Sequence, residues 1–245
     1  MDTLTERLRV KLSTVRLLLD PAHDGWAIRY EKETHAVRSL PLDDLDPGAV
    51  DAEVLAVAAG MEAAIKLSGP VRDEPFGVGA ASLLARVERA RFADGYDAVI
   101  AGRGGDDGER LCYHALGAGL IAAYVFDAGW SFTYVSRAQA TRWGATPERV
   151  ESAARSALYA RAEIPHDQHR VATGDGYDAS RAMIASDLFY HLATADGLPL
   201  AVPSRDLLLV GPAATPEATA AAFAEARYPL CPLPLLLHRG LLRAA

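Results

Sequence analysis

The run "YDAVIAGRGGDDGERLCYHALGAGLIAAYVFDAGWSFTYV", Tyr96 to Val135, carries four short apolar segments separated by glycine-rich stretches. "YDAVIAG" and "RLCYHAL" flank the turn "RGGDDGE", and "LIAAYVFD" and "WSFTYV" flank Ala128-Gly129. β-Branched and aromatic residues bounded by glycine turns predict strands, so this region reads as four strands in two hairpins. Elsewhere the chain shows helical spacing. Hairpins mixed with helices, rather than strict strand–helix alternation, predict an α+β fold with a largely antiparallel sheet and packed helices.

Upstream, "AASLLARVERARFA" (80–93) has helical periodicity, and "SGPVRDEPFGVG", Ser68 to Gly79, has the proline and glycine content of a linker. That linker sets the expected division: 1–68 as a small N-terminal helix–hairpin–helix unit and 69–245 as the α+β domain. Within the first, Thr3 and Glu6 form a capping box. Leu4, Leu8, Leu12, Val15 and Leu19 follow at helical spacing, "WAIRYE" and "THAVRSL" read as paired strands, and "DPGAVDAEVLAVAAGMEAAIKL" reads as a helix. Downstream, Ser136 with Gln139 predicts a short helical turn. Thr146-Pro147-Glu148 and Thr215-Pro216-Glu217 each open a helix, with Thr as cap, Pro at the first position and Glu against the positive dipole end. "RVAT", "LAVP" and "LLLVG" read as further strands, the last two around Ser204-Arg205-Asp206.

Composition narrows the function classes. Half of the 245 residues are hydrophobic and 23% are charged, as in an ordinary globular protein. A net charge of −7 argues against nucleic acid as a partner. No stretch reads as a signal peptide or a transmembrane segment; the apolar "PLCPLPLLLHRGLL" is broken by three prolines. Two distant cysteines, Cys112 and Cys231, fit a reducing cytoplasm better than a disulfide framework. There is no phosphate-loop lysine motif, no H-E-x-x-H, no paired C-x-x-C and no complete G-x-S-x-G. "GVGAAS" at 77–82 lacks the preceding strand and following lysine of a phosphate cradle. No cofactor is expected.

The pentapeptide "DGYDA" occurs twice, at 94–98 and 175–179. The flanks differ, which speaks against duplication. The first copy runs into Val99-Ile100 and should enter a strand; the second runs into Ser180-Arg181 and should start a helix capped by Asp178. A strand–turn–helix junction presents free N–H groups to an anion. If Ser204-Arg205-Asp206 folds beside it, Asp175, Tyr177, Arg205 and Asp206 form a polar cluster. Candidate bases are then Asp175 and Asp206, with Tyr177, Asp178, Ser180 and Arg205 as binding residues. The structural alternative has Asp178 capping, Tyr177 packing and Arg205 pairing with a carboxylate. His166 and His169 have a three-residue spacing that could reach one metal, although a solvated loop is the default there and no metal is expected. His191 reads as a packed histidine on a helix. The tail "YPLCPLPLLLHRGLLR" reads as an arm packed across its own domain, the alternative being an interface.

"LIAAYVFD", "TRWGATPERVESAARSAL", "GDGYDASRAMIASDLF" and "LAVPSRDLLLVG", in that order, resemble the uncharacterised bacterial family typified by YtpQ. The most specific matches are Asp175 to Ser180 and Pro203 to Leu209. The resemblance implies a cytoplasmic α+β protein with no assigned activity, so it supplies no catalytic residue; it marks Asp175, Tyr177, Ser180, Arg205 and Asp206 as family-typical polar positions. The leading functional expectation is a non-enzymatic protein- or peptide-binding adaptor, with a protein partner or self-association. The alternative is a hydrolase or transferase acting on a small anionic or phosphorylated compound at Asp175–Ser180 and Arg205–Asp206.

Overall fold

The computed structural model describes residues 17–22, 25–30, 50–67, 69, 71–128, 132–164 and 168–245. In chain order the strands are β1 (Leu17–Ala22), β2 (Gly25–Tyr30), β3 (Leu83–Arg89), β4 (Tyr113–Gly117), β5 (Leu120–Asp127) and β6 (Phe132–Tyr134). They continue with β7 (Arg170–Val171), β8 (Leu198–Ser204), β9 (Leu207–Val210), β10 (Leu235–His238) and β11 (Leu241–Ala244). The helices are α1 (Val50–Lys66), α2 (Phe76–Gly79), α3 (Ala90–Gly102), α4 (Arg137–Arg142), α5 (Pro147–Ala160), α6 (Ala185–Leu188) and α7 (Pro216–Glu225). β1 and β2 pair with each other; the other nine strands form one sheet in the order β3-β5-β4-β11-β10-β8-β9-β7, with β6 paired to β5. Every pairing is antiparallel except β4 with β11, which meet at Leu242 and Gly117. The α+β expectation holds.

Two local readings were reversed. "LLARVER" forms β3, not a helix, and nearly all of it is buried. A strand covered on both faces loses its alternation and imitates the apolar content of a helix. Conversely, "ARFADGYDAVIAG" forms α3, not a strand. Phe92, Tyr96, Val99 and Ile100 bury one helical stripe against the core, and that packing outweighs the strand preference of Val99-Ile100. The two hairpins therefore become a β4–β5–β6 meander with β3 on the far edge of β5. The turn Ala118-Gly119 joining β4 to β5 has φ of 51° and 71°, the positive values that two-residue hairpin turns require.

The first "DGYDA" thus sits in a helix. Its Gly95 meets α1 so closely that an added Cβ would lie 2.1 Å from the carbonyl oxygen of Val57. Gly60 of α1 makes the reciprocal approach, 2.0 Å from that of Phe92. The two helices cross backbone to backbone. Asp97 accepts from the Leu111 N–H at 3.2 Å, tying α3 to the segment that enters the meander. Val54, Val57, Met61 and Ala64 of α1 join Leu83, Tyr96 and Tyr124 in one core, so α1 shares its interior with segments beyond the expected boundary at Gly69.

The helix starts at Ser136, Thr146 and Thr215 are as expected, each side-chain oxygen accepting from the N–H three residues on. The tail packs as expected on its own domain: Leu230 and Cys231 are buried, and β10 and β11 complete the sheet. Near the other end, β1 pairs with β2, so the apolar Leu17-Leu18-Leu19 belongs to a strand rather than closing a helix. A short unbroken apolar run fits either element. Thr3, Glu6, Pro47 and the expected strand at 34–40 lie outside the described residues. Among those described, no helix is long and apolar enough to cross a membrane.

Candidate functional site

The second "DGYDA" leaves β7 through a turn in which Gly174 and Gly176 both have φ of 79°. Nothing lies within 4 Å of an added Cβ at Gly176, so that glycine serves backbone conformation alone. Asp175 Oδ1 accepts from the Tyr177 N–H at 2.9 Å and so tightens the turn. A 3-10 helix, Ala179–Ile184, follows, buried along its whole length.

Asp178 does not cap that helix, contrary to the sequence reading. It is itself helical in conformation and its fully buried carboxylate reaches backwards. Oδ1 accepts from the N–H and hydroxyl of Thr173, both at 2.9 Å, and Oδ2 from the Gly174 N–H at 3.3 Å. The organising cation is Arg181, which is 1% exposed. Its Nη1 donates to Asp175 and Asp178 at 3.0 and 3.1 Å, and its Nη2 to Asp175 Oδ2 at 2.7 Å and to the Arg161 carbonyl at 3.1 Å. A buried guanidinium thus meets two carboxylates in a fork-like geometry. Burial alone would raise the Asp175 carboxyl, but the Arg181 and Tyr177 hydrogen bonds together hold it below the usual carboxylate value. Ser180, also buried, accepts from the Val87 N–H at 3.3 Å and so ties this segment to β3. Tyr177 packs beneath Arg161, and burial followed by the Asp127 carboxylate pushes its phenol up to about 12.

Arg205 lies in the turn between β8 and β9, and its carbonyl accepts from the Ala179 N–H at 3.1 Å. The two predicted segments are therefore joined through the backbone. Their side chains diverge. Arg205 directs Nε to Glu88 Oε2 at 2.9 Å, with Nη2 on the same oxygen, and stacks 4.6 Å from the Tyr228 ring. Glu88, 2% exposed on β3, also accepts from the Tyr134 hydroxyl at 3.1 Å. Asp175 has Arg181 and Arg205 has Glu88, so the expected Asp175–Arg205 cluster divides into two ion-pair knots. Asp206 is exposed and belongs to neither. His169 uses its carbonyl to accept from the Val210 N–H, and His166 lies outside the described residues. Among the described residues no three His, Cys, Asp or Glu side chains gather as a metal site. His191 is exposed rather than packed, on a one-turn 3-10 segment.

Arg205 and Glu88 open onto a cleft of about 500 Å3 that the sequence reading missed. One wall is α1, through Ala52, Leu55, Ala56 and Ala59; the other is the arm Arg227–Leu230. That arm runs beside β8, with the Arg205 N–H donating to the Tyr228 carbonyl and the Leu230 N–H to Pro203. At the base Arg89 donates to the Leu230 carbonyl and pairs with Glu53. The mouth carries Lys66, paired with Glu62, together with Arg227 and the partly exposed Tyr228. Size and an apolar wall with convergent charged groups are the ordinary attributes of a ligand site. The signal available in the sequence was the charged trio Arg86, Glu88 and Arg89 inside the otherwise apolar "LLARVER", a costly choice in a buried strand unless the charges are paired.

Part of the chain is similar to a curated bacterial protein. It is 31% identical over 133 residues to UPF0354 protein lin1649 of Listeria innocua, a match covering 48% of this chain. The chain spans about half the length of that curated relative. No family model and no solved structure matches.

Proposed function

We propose that this chain is a non-catalytic binding protein that holds a peptide segment of a protein partner in the cleft between α1 and the Arg227–Leu230 arm. The observation that carries the reading is the pairing inside the cleft. Both carboxylates that line it are engaged, Glu62 by Lys66 and Glu88 by Arg205, so the cleft offers shape and charge without a free base. The YtpQ-like resemblance, which implies no activity, is compatible with such a role. A reducing cytoplasm suits Cys112 and Cys231, both free thiols.

A hydrolase or transferase reading for a small anionic or phosphorylated compound has one observation in its favour, the presence of Arg205 in the cleft wall. Against it, Asp175 is outside the cleft lining, and a carboxyl held low by Arg181 is a poor proton acceptor near neutral pH.

A photo-crosslinking amino acid at position 59 tests the proposal in cells. A defined partner protein should be captured there and lost on competition with its own peptide. Recovery of this chain alone, or of nothing, would remove the binding role.

A further inference from the structure

We infer that the peptide held in the cleft is acidic, with a carboxylate seated against Arg227 and apolar side chains along α1. This inference rests on the cleft being a peptide site and adds the chemical class of the peptide. Four cations line the cleft, and three have carboxylate partners: Lys66 has Glu62, Arg89 has Glu53 and Arg205 has Glu88. Among the described residues Arg227 has none; its guanidinium lies 5.2 Å from the Tyr228 ring. One positive charge is left over at the cleft mouth of a chain whose net charge is −7. An exposed guanidinium fork lying over an aromatic ring presents N–H donors that a carboxylate can accept in pairs.

The apolar wall sets the other requirement. Ala52, Leu55, Ala56 and Ala59 recur at helical spacing, so they form a strip about 10 Å long at 1.5 Å per residue. At about 3.3 Å per residue that length matches some three residues of extended chain. The alanines leave room above the strip for the side chains of an incoming segment, while Tyr228 and Pro229 close the opposite wall. A segment with apolar residues along the strip and an Asp, a Glu or a chain-terminal carboxylate at the Arg227 end satisfies both walls together.

The test is selection of random heptapeptides displayed with either a free or an amidated C-terminus, using the full chain as bait and sequencing as the readout. Asp and Glu, or the free terminus, should be enriched over Asn, Gln and the amide. Synthetic copies should bind about ten-fold more tightly than their amide counterparts, the ratio expected of one charge-assisted hydrogen-bonded pair. Arg227→Ala should abolish that ratio, whereas Arg243→Ala, outside the cleft, should keep it. If only the free terminus is selected, the carboxylate is the peptide's C-terminus; if an internal acidic residue is selected, it is a side chain. Selection of apolar peptides with no acidic preference would overturn this inference and leave the binding role standing. Selection of nothing, or binding of inorganic phosphate in place of peptide, would overturn both.

Discussion

Replacing Gly95 by alanine should destabilise the protein, although the residue lies inside a helix where alanine is normally preferred. Helix propensity alone would favour Gly95→Ala by about 1 kcal/mol. The new Cβ, however, would stand 2.1 Å from the Val57 carbonyl oxygen, and ordinary contact begins at 3.4 Å. The obstruction is backbone, so no rotamer change relieves it, and α1 and α3 must separate by roughly 1.3 Å at their crossing. Tyr96, Phe92 and Met61, all buried there, lose contact as the gap opens. Overpacking costs about 1–3 kcal/mol and more where nothing can yield, so a cost of about 3 kcal/mol against a backbone obstruction leaves a net loss of about 2 kcal/mol after the propensity gain. Urea unfolding followed by circular dichroism should show the midpoint falling by about 1 M with an unchanged slope. Gly176→Ala gives the contrast. There the cost is about 1–2 kcal/mol, from a φ of 79° and not from a clash, so asparagine should recover most of it at 176 and worsen matters at 95. A Gly95→Ala protein as stable as the parent, or more so, would refute the close helix crossing.

Arg181→Met should cost about 3–5 kcal/mol in the same unfolding assay, because it strands the buried Asp178 carboxylate, and lysine should not restore the loss. Asp175, held below its ordinary value of 3.8, stabilises the fold fully above that pH, and the contribution disappears as pH falls through the lower folded value. The parent should therefore lose more stability than Asp175→Asn between pH 4 and pH 2. Burial pushes the Cys112 thiol up to about 11, so about one molecule in a thousand carries the thiolate at pH 8. Alkylation by iodoacetamide should be slow in the folded protein and fast in urea; rapid native alkylation would contradict this burial.

The helix starts were legible because a cap is a local rule: Ser136, Thr146 and Thr215 bond N–H groups three residues away whatever surrounds them. The strands at Tyr113–Gly117 and Leu120–Asp127 and those flanking Arg205 were legible from their apolar runs and bounding turns, whereas the turn at Ala118-Gly119 that pairs the first two was not. Tertiary packing hid the rest. Gly95 looks like a turn residue until a second helix lies against it, and β3 looks helical because the core covers both its faces. The candidate site shows the same division. The Asp175 turn was recognisable from its letters. Glu88 reaches Arg205 across 117 positions, a partnership that no local pattern announces. The two copies of "DGYDA" share a sequence and two tyrosines that pack, and almost nothing else: one supplies a helix crossing, the other an ion-pair knot around Arg181.

If the cleft between α1 and the Arg227–Leu230 arm holds the ligand and the Asp175 turn is architecture, the two should separate under mutation. The most direct measurement is crosslinking of the partner from position 59 in two variants, with the stability of each recorded alongside. Asp175→Asn should unfold more readily yet keep its crosslink under native conditions, and Arg227→Ala should keep its stability and lose most of the crosslink. An Asp175→Asn protein that folds stably but captures no partner, beside an Arg227→Ala protein that captures it fully, would contradict the account.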